Sequence, residues 1–468
     1  MMRVWRWVIG AVVSLSLLVA IVYVHKAVSI GAGYKAKILC SALFVSKRQP
    51  DVVLAEDLKV DGLELLEFFP FAIDRERPSV EVSVFGLVKR RAVYRDGLGC
   101  TLAIGKTEEE LRSETPYPDH GSKLISTVSR QKVTLTATGN PVEFDQERLA
   151  VAIDGAFAES NPDALKRTRA LVVVHQGQIV AERYAEGFSR HMPLLGWSMA
   201  KSALNALVGI RLRQGKLALS DRRLLPEWSD DQDPRSHITL NDLLRMTSGL
   251  SFSERYQDTL SDVVVMLFAK GDKAAFAAAK RAEHVPGSRW SYSGGNSNII
   301  SHVLRLSFQN KLDYLTFPNR ELFSRLGMEN AVIEPDASGT FAASSFMYAT
   351  ARDWARLGLL FLRDGLWEDR RILPQGWVAM GRRPKPTAGE GAYGLHLWLK
   401  LPMSAQGGEP PLPEDAYYML GHEGQIVAII PSLDLVVVRM GLARKPDALK
   451  PAELLSSIAA VFSQKREE

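Results

Sequence analysis

Cysteine is scarce in this chain of 468 residues, which contains only Cys40 and Cys100. Two cysteines, nine histidines and the lack of any His-x-x-x-His pair exclude the common zinc-binding patterns. The chain also has little excess of either sign of charge, because 58 basic and 53 acidic residues leave a net charge of only +5. The basic clusters, such as residues 89–91, are short and typical of solvated surface rather than of a nucleic-acid site. The sequence therefore predicts no metal, no cofactor and no nucleic-acid partner.

Apolar residues make up 46% and charged residues 24% of the chain, values typical of a globular protein with a sizeable core. The length predicts two or three domains, or one large domain with a smaller partner. The predicted division is a membrane segment at 1–27, a small β-rich domain at 28–111, a linker rich in turn-forming residues at 112–142, and a main domain at 143–468.

The clearest compositional feature lies at the N-terminus, where Arg3 and Arg6 precede residues 7–24, which hold no charged side chain. A run of this length is just sufficient to cross a bilayer core, and the preceding basic residues favour a cytoplasmic N-terminus. We therefore predict a membrane anchor that leaves the rest of the chain outside the cytoplasm, in the periplasm or the extracellular space. A cleaved signal peptide is the alternative, although residues 25–28 form a poor cleavage site.

Export would place both cysteines in an oxidising compartment, where they can form a disulfide. A Cys40–Cys100 bond would close a loop of about sixty residues and stabilise the fold by about 4 kcal/mol. Two separate buried thiols are the alternative. Lipid modification of Cys40 is disfavoured, because Lys37 and Leu39 stand where an apolar and a small residue are needed.

Two β-rich runs around a Gln-Gly turn predict strands near the start of the main domain and alternating residues predict strands near its end, with helical periodicity between them. The strands are expected at 170–175, 178–184, 417–420, 426–430 and 435–440, and the helices include 144–158, 197–214, 296–308, 353–363 and 451–464. This order predicts an α+β fold, in which the two ends of the domain build one antiparallel sheet, flanked by helices, beside a helical lobe. The small domain is expected to be β-rich, with strands at 80–87, 89–94 and 100–104.

Ser198 and Lys201 form an S-x-x-K pattern at the start of a predicted helix. Residues three apart lie on one helix face, so the lysine amine can reach the serine hydroxyl and, when neutral, take its proton. The positive end of the helix dipole would favour developing negative charge there. The structural alternative is a helix-capping serine. Ser129 and Lys132 fit the same pattern, but lie in the predicted linker.

Gly196, Ser198 and Ala200 also approach the G-x-S-x-G nucleophile elbow of α/β-hydrolases. That elbow requires a buried strand immediately before it, and residues 190–193 do not form a strand pattern. His422 would be the obvious histidine of such a site. We therefore favour the serine–lysine interpretation.

Several further segments follow in a characteristic order, at 170–184, 197–202, 215–219, 238–250, 286–293 and 421–425. Together they resemble the β-lactamase-related serine hydrolases, a family that includes class C β-lactamases, penicillin-binding carboxypeptidases, esterases and 6-aminohexanoate-dimer hydrolases. The last branch is the most similar. The resemblance spans about residues 167–441 and implies a β-lactamase/transpeptidase-like fold, preceded here by the small domain and the anchor helix.

The resemblance implies that Ser198 is the nucleophile and that Lys201 and Tyr292 form its base system. A phenol near the Lys201 ammonium would ionise more easily and could pass the serine proton to the leaving group. Relatives often carry asparagine two residues after this tyrosine, where the chain has Gly294 and, shifted, Asn296. A buried tyrosine with a structural role is the alternative for Tyr292.

In the third characteristic element, His422, Glu423 and Gly424 replace Lys-Thr-Gly on an edge strand. Gly424 is expected to let substrate approach the backbone, and the N–H groups of Ser198 and Gln425 are implied to form the oxyanion hole. Histidine is largely neutral near pH 7, so His422 predicts weak recognition of the β-lactam carboxylate. A structural residue at a strand end is the alternative for His422.

Four more side chains are candidates for lining the cleft: Asp242, Glu254, Tyr393 and Trp398. The predicted function is a serine hydrolase that acts through an acyl-enzyme on an ester, a small amide or a peptide. A β-lactamase or penicillin-binding carboxypeptidase is one alternative. A catalytically silent, membrane-anchored binding protein is another, although the intact serine, lysine and tyrosine argue against it.

Overall fold

The computed structural model describes residues 2–59, 64–115, 144–385, 392–401, 412–445 and 447–463. The second S-x-x-K pattern, at Ser129 and Lys132, and nearly all of the predicted linker lie outside these residues. Helices and strands are numbered below in chain order.

The N-terminal part consists of a long helix, two short ones and a four-stranded antiparallel sheet in the order β1-β2-β3-β4. Its elements are α1 (Met2–Phe44), α2 (Pro50–Glu56), β1 (Phe71–Asp74), β2 (Ser79–Val84), β3 (Val88–Arg95), β4 (Gly99–Leu102) and α3 (Glu108–Ser113). Strands β2, β3 and β4 lie where strands were predicted, but the region also contains helices that the β-rich prediction did not include.

Helix α1 has an exposed half and a buried half. Residues 5–26 are exposed, and Trp5–Phe44 is long and apolar enough to cross a membrane. The helix does not end with the predicted membrane segment at residue 27 but continues, buried from Ser29 onward, into the protein. Small residues allow this close packing: a Cβ added to Gly33 would lie 2.3 Å from the carbonyl oxygen of Phe268. The second half of α1 is therefore a core helix. The sequence did not predict this, because Lys35 and Lys37 are residues that are normally exposed.

The predicted disulfide is confirmed. Cys40 on α1 bonds to Cys100 on β4, with Cα atoms 6.1 Å apart, and both side chains are buried. Because 60 residues separate the two positions, the bond joins the long helix to the last strand of the sheet.

The main part is built around a five-stranded antiparallel sheet in the order β12-β13-β14-β5-β6. The strands of this sheet are β5 (Thr168–His175), β6 (Gln178–Tyr184), β12 (Tyr417–Gly421), β13 (Gln425–Ile430) and β14 (Leu435–Gly441). Two smaller antiparallel sheets consist of β7 (Leu194–Leu195), β8 (Val332–Ile333) and β9 (Met347–Ala349), and of β10 (Leu366–Trp367) and β11 (Arg370–Arg371). Val437 on β14 pairs with Val173 on β5, which confirms that the two ends of the domain share one sheet.

Helices cover both faces of this sheet, which confirms the α+β class. They are α4 (Gln146–Phe157), α5 (Ala200–Arg213), α6 (Leu240–Leu244), α7 (Asp262–Ala269), α8 (Lys273–Ala278), α9 (Gly294–Leu306), α10 (Lys311–Pro318), α11 (Ser324–Leu326), α12 (Ala351–Leu362), α13 (Trp377–Gly381) and α14 (Pro451–Phe462). Helices α4 and α14 cover one face and α12 the other. The hydrophobic core on the α12 side of the sheet continues without interruption into the buried half of α1 and the four-stranded N-terminal sheet.

A buried carboxylate joins the two parts of the chain. Glu334, fully buried, forms an ion pair with Lys37 on α1 and accepts hydrogen bonds from the Ser41 hydroxyl (2.9 Å) and the Cys100 N–H (2.6 Å). Burial raises the pKa of Glu334 and lowers that of Lys37, and the attraction between the two groups opposes both shifts. Gly99 is required beside it, because its φ is +66° and a Cβ would lie 2.5 Å from Glu334 Oε1.

We expect Lys37→Met to lower the free energy of unfolding by about 3–5 kcal/mol, because it leaves the Glu334 charge buried without its counter-charge. In Lys37→Met/Glu334→Gln the loss should be markedly smaller, since the amide is neutral and its oxygen still accepts from Ser41 and Cys100. Urea unfolding of the full chain in detergent measures both. A single variant as stable as the double variant would show that the buried charge is compensated elsewhere.

Candidate active site

The predicted nucleophile lies in a single turn of 3₁₀-helix, Trp197–Met199, that leads into α5. Lys201 is buried on the first turn of α5, and its Nζ lies 3.0 Å from Ser198 Oγ and 2.9 Å from the carbonyl oxygen of Ser344. The S-x-x-K spacing therefore brings the two groups together as predicted. The described strand before Ser198 is the two-residue β7, which does not belong to the five-stranded sheet, and the strand pairs in the described parts are antiparallel, so the nucleophile-elbow alternative does not fit.

Burial changes the acid–base properties of this lysine. Desolvation lowers the pKa of Lys201 to about 8, and the nearby Glu254 carboxylate partly opposes this shift. Burial raises the pKa of Glu254, whose Oε2 accepts a hydrogen bond of 2.7 Å from the N–H of Gly294. The prediction that Glu254 lines the cleft thus fits its place beside Lys201. About a tenth of the lysine amine is therefore neutral at pH 7 and can accept a proton.

Tyr292 is close to both predicted partners. The Lys201 amine lies 4.9 Å from the centre of its ring, and its hydroxyl interacts with that of Ser198. The expectation that Tyr292 ionises more easily is wrong: burial, reinforced by the Glu254 carboxylate, raises the pKa of the phenol. Attraction to the lysine does not prevail, because the lysine is itself desolvated and Glu254 lies within range. Tyr292 is therefore a proton donor in the free protein.

Tyr256, which sequence reasoning did not single out, brings a second phenol to the serine. Burial raises the pKa of the Tyr256 phenol well above its ordinary value, and an interaction with the Ser198 hydroxyl partly opposes this shift. Its ring stacks on the imidazole of His422, with centroids 4.7 Å apart and planes 14° from parallel. Only a family alignment could have pointed to this tyrosine, since no local pattern surrounds it.

His422, Glu423 and Gly424 form the turn between β12 and β13, at the end of the edge strand. The His422 ring keeps one exposed side and packs edge-on against Trp197, with centroids 5.5 Å apart. Contact with the two aromatic rings removes water and lowers the pKa of His422. The imidazole, which we predict to stand in place of the lysine of Lys-Thr-Gly, is therefore mostly neutral near pH 7.

Glu423 connects this turn to the nucleophile turn. Its carboxylate accepts hydrogen bonds from Trp197 Nε1 (3.0 Å) and from Arg444 Nε (2.9 Å). Trp197, with φ at +47°, directly precedes Ser198. Arg444 also donates to the carbonyl oxygens of Asp57 (2.5 Å) and Lys59, so the N-terminal part contacts the turn through one arginine. Sequence separation hid this link.

The glycine and glutamine after Glu423 have different roles. The φ of Gly424 is +80°, and a Cβ there would lie 2.7 Å from the guanidinium of Arg439, so packing and backbone conformation by themselves require this glycine. The approach of a substrate to its backbone stays a prediction. Gln425 is buried, and its side-chain amide exchanges two hydrogen bonds with the backbone of Gly441 (2.7 and 2.9 Å). These bonds hold the start of β13 beside the end of β14.

The edge strand also lies against the nucleophile turn. A Cβ added to Gly421 would lie 2.2 Å from the carbonyl oxygen of Gly196, so only glycine permits this approach. Gly196 in turn packs on α12, because a Cβ added to it would lie 2.3 Å from the ring of Trp354. The turn that carries Ser198 is therefore held between β12 and α12.

The remaining cleft candidates divide into two groups. Tyr393 and Trp398 pack on Tyr292, with ring centroids 5.8 and 5.4 Å from it, and so hold that phenol in place. Asp242 instead completes a capping box with Thr239 at the start of α6. Asn296 is buried on α9, where its side-chain oxygen accepts a hydrogen bond from Ser248 (2.9 Å), a structural role.

Comparison with known proteins gives the family. A family model described as Beta-lactamase matches residues 163–456, which is more than half of the chain. The chain belongs to this family. As a β-lactamase family member, it is a β-lactamase-fold hydrolase related to amide- and ester-hydrolysing enzymes.

Two kinds of relative illustrate this placement. A 6-aminohexanoate-dimer hydrolase from Paenarthrobacter ureafaciens is 25% identical over 321 residues, which cover 62% of this chain and 78% of that protein. A putative β-lactamase from Bacteroides dorei DSM 17855 has the same fold, with a TM-score of 0.54, 18% identity and coverage of 69% of this chain and 100% of that one. EstCE1, a hydrolase with promiscuous acyltransferase activity, matches with a TM-score of 0.52, 15% identity and coverage of 67% and 98%.

We expect Glu423→Gln to slow the reaction of Ser198 with a fluorophosphonate about tenfold. One carboxylate oxygen of Glu423 accepts from Trp197 and the other from Arg444. In the amide one of these oxygens becomes an NH₂ group, which faces a donor and cannot accept its hydrogen bond. Glu182→Gln is the matched control. Glu182 lies on β6, the opposite edge strand of the sheet, and the substitution removes its ion pair with Arg352 on α12. Equal labelling rates of the two variants and the wild type would show that Glu423 does not position the serine.

Proposed function

We propose that this protein is a serine hydrolase that acts through an acyl-enzyme on an uncharged ester or small amide. The observation that carries the proposal is the buried Lys201 amine, which lies 3.0 Å from Ser198 Oγ with a pKa of about 8. A neutral amine at this distance can take the serine proton as the oxygen attacks. A binding protein without catalysis would have no use for a lysine kept partly neutral beside a serine.

In the proposed reaction, Ser198 Oγ bonds to the carbonyl carbon while its proton passes to Lys201. The N–H groups of Ser198 and Gln425 stabilise the oxyanion, and such donors typically contribute about 3–4 kcal/mol each. The carbon–oxygen or carbon–nitrogen bond of the leaving group then breaks, and the leaving group takes a proton from the neutral phenol of Tyr292, which Lys201 reprotonates. Water attacks the acyl-enzyme in the second half of the cycle, and the acid is released.

The surroundings of His422 support an uncharged substrate. A neutral imidazole between Tyr256 and Trp197 offers a mostly aromatic surface, whereas a lysine at this position would supply a permanent charge for a carboxylate. This favours esters and small amides over β-lactams. The similarity to a 6-aminohexanoate-dimer hydrolase supports an amide as the bond that is cleaved, but not the absence of charge, because an aminohexanoate dimer has charged ends.

The same proposal places the enzyme on the outer side of a membrane. Residues 5–26 of α1 are exposed and form an apolar helix, which supports an anchor, and the Cys40–Cys100 disulfide supports an oxidising compartment. Because α1 continues through residue 27 into the core, the anchor and the hydrolase domain are joined by a continuous helix rather than by a flexible tether.

Covalent labelling tests the nucleophile. We expect intact-mass spectrometry to show one adduct after exposure of the full chain to a fluorophosphonate, and no adduct with Ser198→Ala. The wild type should also hydrolyse p-nitrophenyl esters while accumulating little penicillin adduct. Fast turnover of penicillin would instead identify a β-lactamase, and a folded wild type that reacts with no probe would contradict the hydrolase proposal.

The pH dependence tests the base. With a Lys201 pKa of about 8, the neutral fraction rises from about a tenth at pH 7 to about nine tenths at pH 9, so the labelling rate of Ser198 should rise about tenfold over this interval.

Glu254→Gln removes a negative charge that raises the Lys201 pKa, so this rise should move to lower pH, whereas Glu283→Gln, an exposed control, should leave it in place. A profile that does not move, or moves to higher pH, would contradict Lys201 as the base.

A further inference from the structure

Large apolar side chains are exposed at the tip of the hairpin between β2 and β3. Phe85 is 92% exposed and Leu87 is 82% exposed, on either side of Gly86. Both Phe85 and Gly86 have positive φ, +50° and +68°, so the tip is a tight turn that projects its side chains outward. Single exposed apolar residues are common on protein surfaces, but two at one tip, supported by a second pair, suggest an interface.

The second pair lies on a short 3₁₀ helix, Glu64–Phe68, where Leu65 is 71% and Phe68 is 75% exposed. This segment is held against α1 by the Lys35 amine, which donates to the carbonyl oxygens of Leu66 (2.7 Å) and Phe69 (2.8 Å). A Cβ added to Gly31 on α1 would lie 2.9 Å from Leu66. The exposed pair is therefore close to the point where α1 leaves the protein.

The hairpin tip reaches the same level. The ring of Phe44, at the end of α1, packs against Tyr94 near the end of β3, with centroids 5.7 Å apart. Further back along α1, the Lys35 amine lies 5.0 Å from the ring centre of Phe71, which pairs with Val82 near the tip end of the sheet. Thus α1, followed from Phe44 toward its N-terminus, runs along the sheet toward the hairpin tip.

The lengths of the two elements agree. From Phe44 back to Gly31, α1 covers about 20 Å, and from Tyr94 back to Val88, β3 covers about the same distance. The tip beyond Val88 is then level with the part of α1 just before Gly31, where residues up to Lys26 are exposed. The two apolar pairs therefore border the base of the exposed apolar helix.

We propose that Phe85, Leu87, Leu65 and Phe68 insert into the interfacial region of the bilayer that α1 crosses, so that the enzyme is attached to the membrane at several points. The two apolar pairs lie beside the base of the apolar helix, at the depth where the lipid head groups would be, so lipid rather than another protein is the expected partner. Lys26 and the exposed Lys89 can contact lipid phosphates, whereas Glu64 and Glu67 contribute the opposite charge, so burial of apolar surface is the main contribution. This inference rests on the proposed anchor and not on the proposed hydrolase activity.

An environment-sensitive fluorophore tests the contact. Full-length Phe85→Cys and Leu87→Cys, labelled with a nitrobenzoxadiazole maleimide, are placed in nanodiscs of phosphatidylcholine and phosphatidylglycerol, with or without lipids spin-labelled near the head group. The native disulfide is buried and does not react. The matched control is Val151→Cys on α4, which is 66% exposed. We expect blue-shifted emission and lipid-dependent quenching at positions 85 and 87, and solvent-like, unquenched emission at 151.

Three results would overturn the proposal in distinguishable ways. Solvent-like emission at 85 and 87, while a label at Val13→Cys on α1 is quenched by lipids spin-labelled near the bilayer centre, would leave the anchor in place and remove the interfacial contact. Blue-shifted emission without quenching by any labelled lipid would indicate contact with protein, such as a second copy. Absence of quenching at position 13 would remove the anchor as well, without bearing on Ser198 chemistry.

Discussion

The buried ion pair of Lys37 with Glu334 is the interaction on which the architecture depends. A carboxylate with no exposure is tolerable only because the lysine, the Ser41 hydroxyl and the Cys100 N–H all turn toward it. Those three partners lie on α1 and β4, beside the disulfide, while Glu334 belongs to the hydrolase part of the chain. The helix that we propose as the membrane anchor is thereby tied to the hydrolase part of the chain by charge, hydrogen bonds and a covalent bond within a few residues.

This attachment has a consequence for the active site. The loop after α2 supplies Asp57 and Lys59 to Arg444, and Arg444 supports Glu423, which holds Trp197 immediately before Ser198. Arg444 binds the backbone carbonyl of Asp57, whereas the side-chain carboxylate of Asp57 is held by Arg169 and Arg48, whose attraction lowers its pKa despite burial. The N-terminal part thus supports the turn that carries Ser198, a structural role that does not depend on the proposed membrane anchor. Rigid support of this kind is what preorganised hydrogen-bond donors require.

Desolvation determines the chemistry that the site can perform. It brings the pKa of Lys201 close to neutrality and keeps Tyr292 protonated, so the two groups are suited to opposite tasks, proton acceptance and proton donation. The expectation of an easily ionised tyrosine failed because it considered only the lysine charge. It left out both the loss of water and the Glu254 carboxylate, whose position relative to Tyr292 depends on how the helical lobe packs.

The sequence by itself determined the elements whose causes are local. The short apolar, β-branched runs of β5, β6, β13 and β14 and the turn after His175 follow from local composition, and the helix from Ser198 with Lys201 one turn further follows from the 3.6-residue period. Tertiary structure alone decided the rest: the burial of the lysines of α1, the partners of Glu334, the stacking of Tyr256 on His422 and the chain of contacts from Asp57 to Trp197. These depend on residues that are up to hundreds of positions apart, and only packing brings such residues into contact and removes the water that sets their charge.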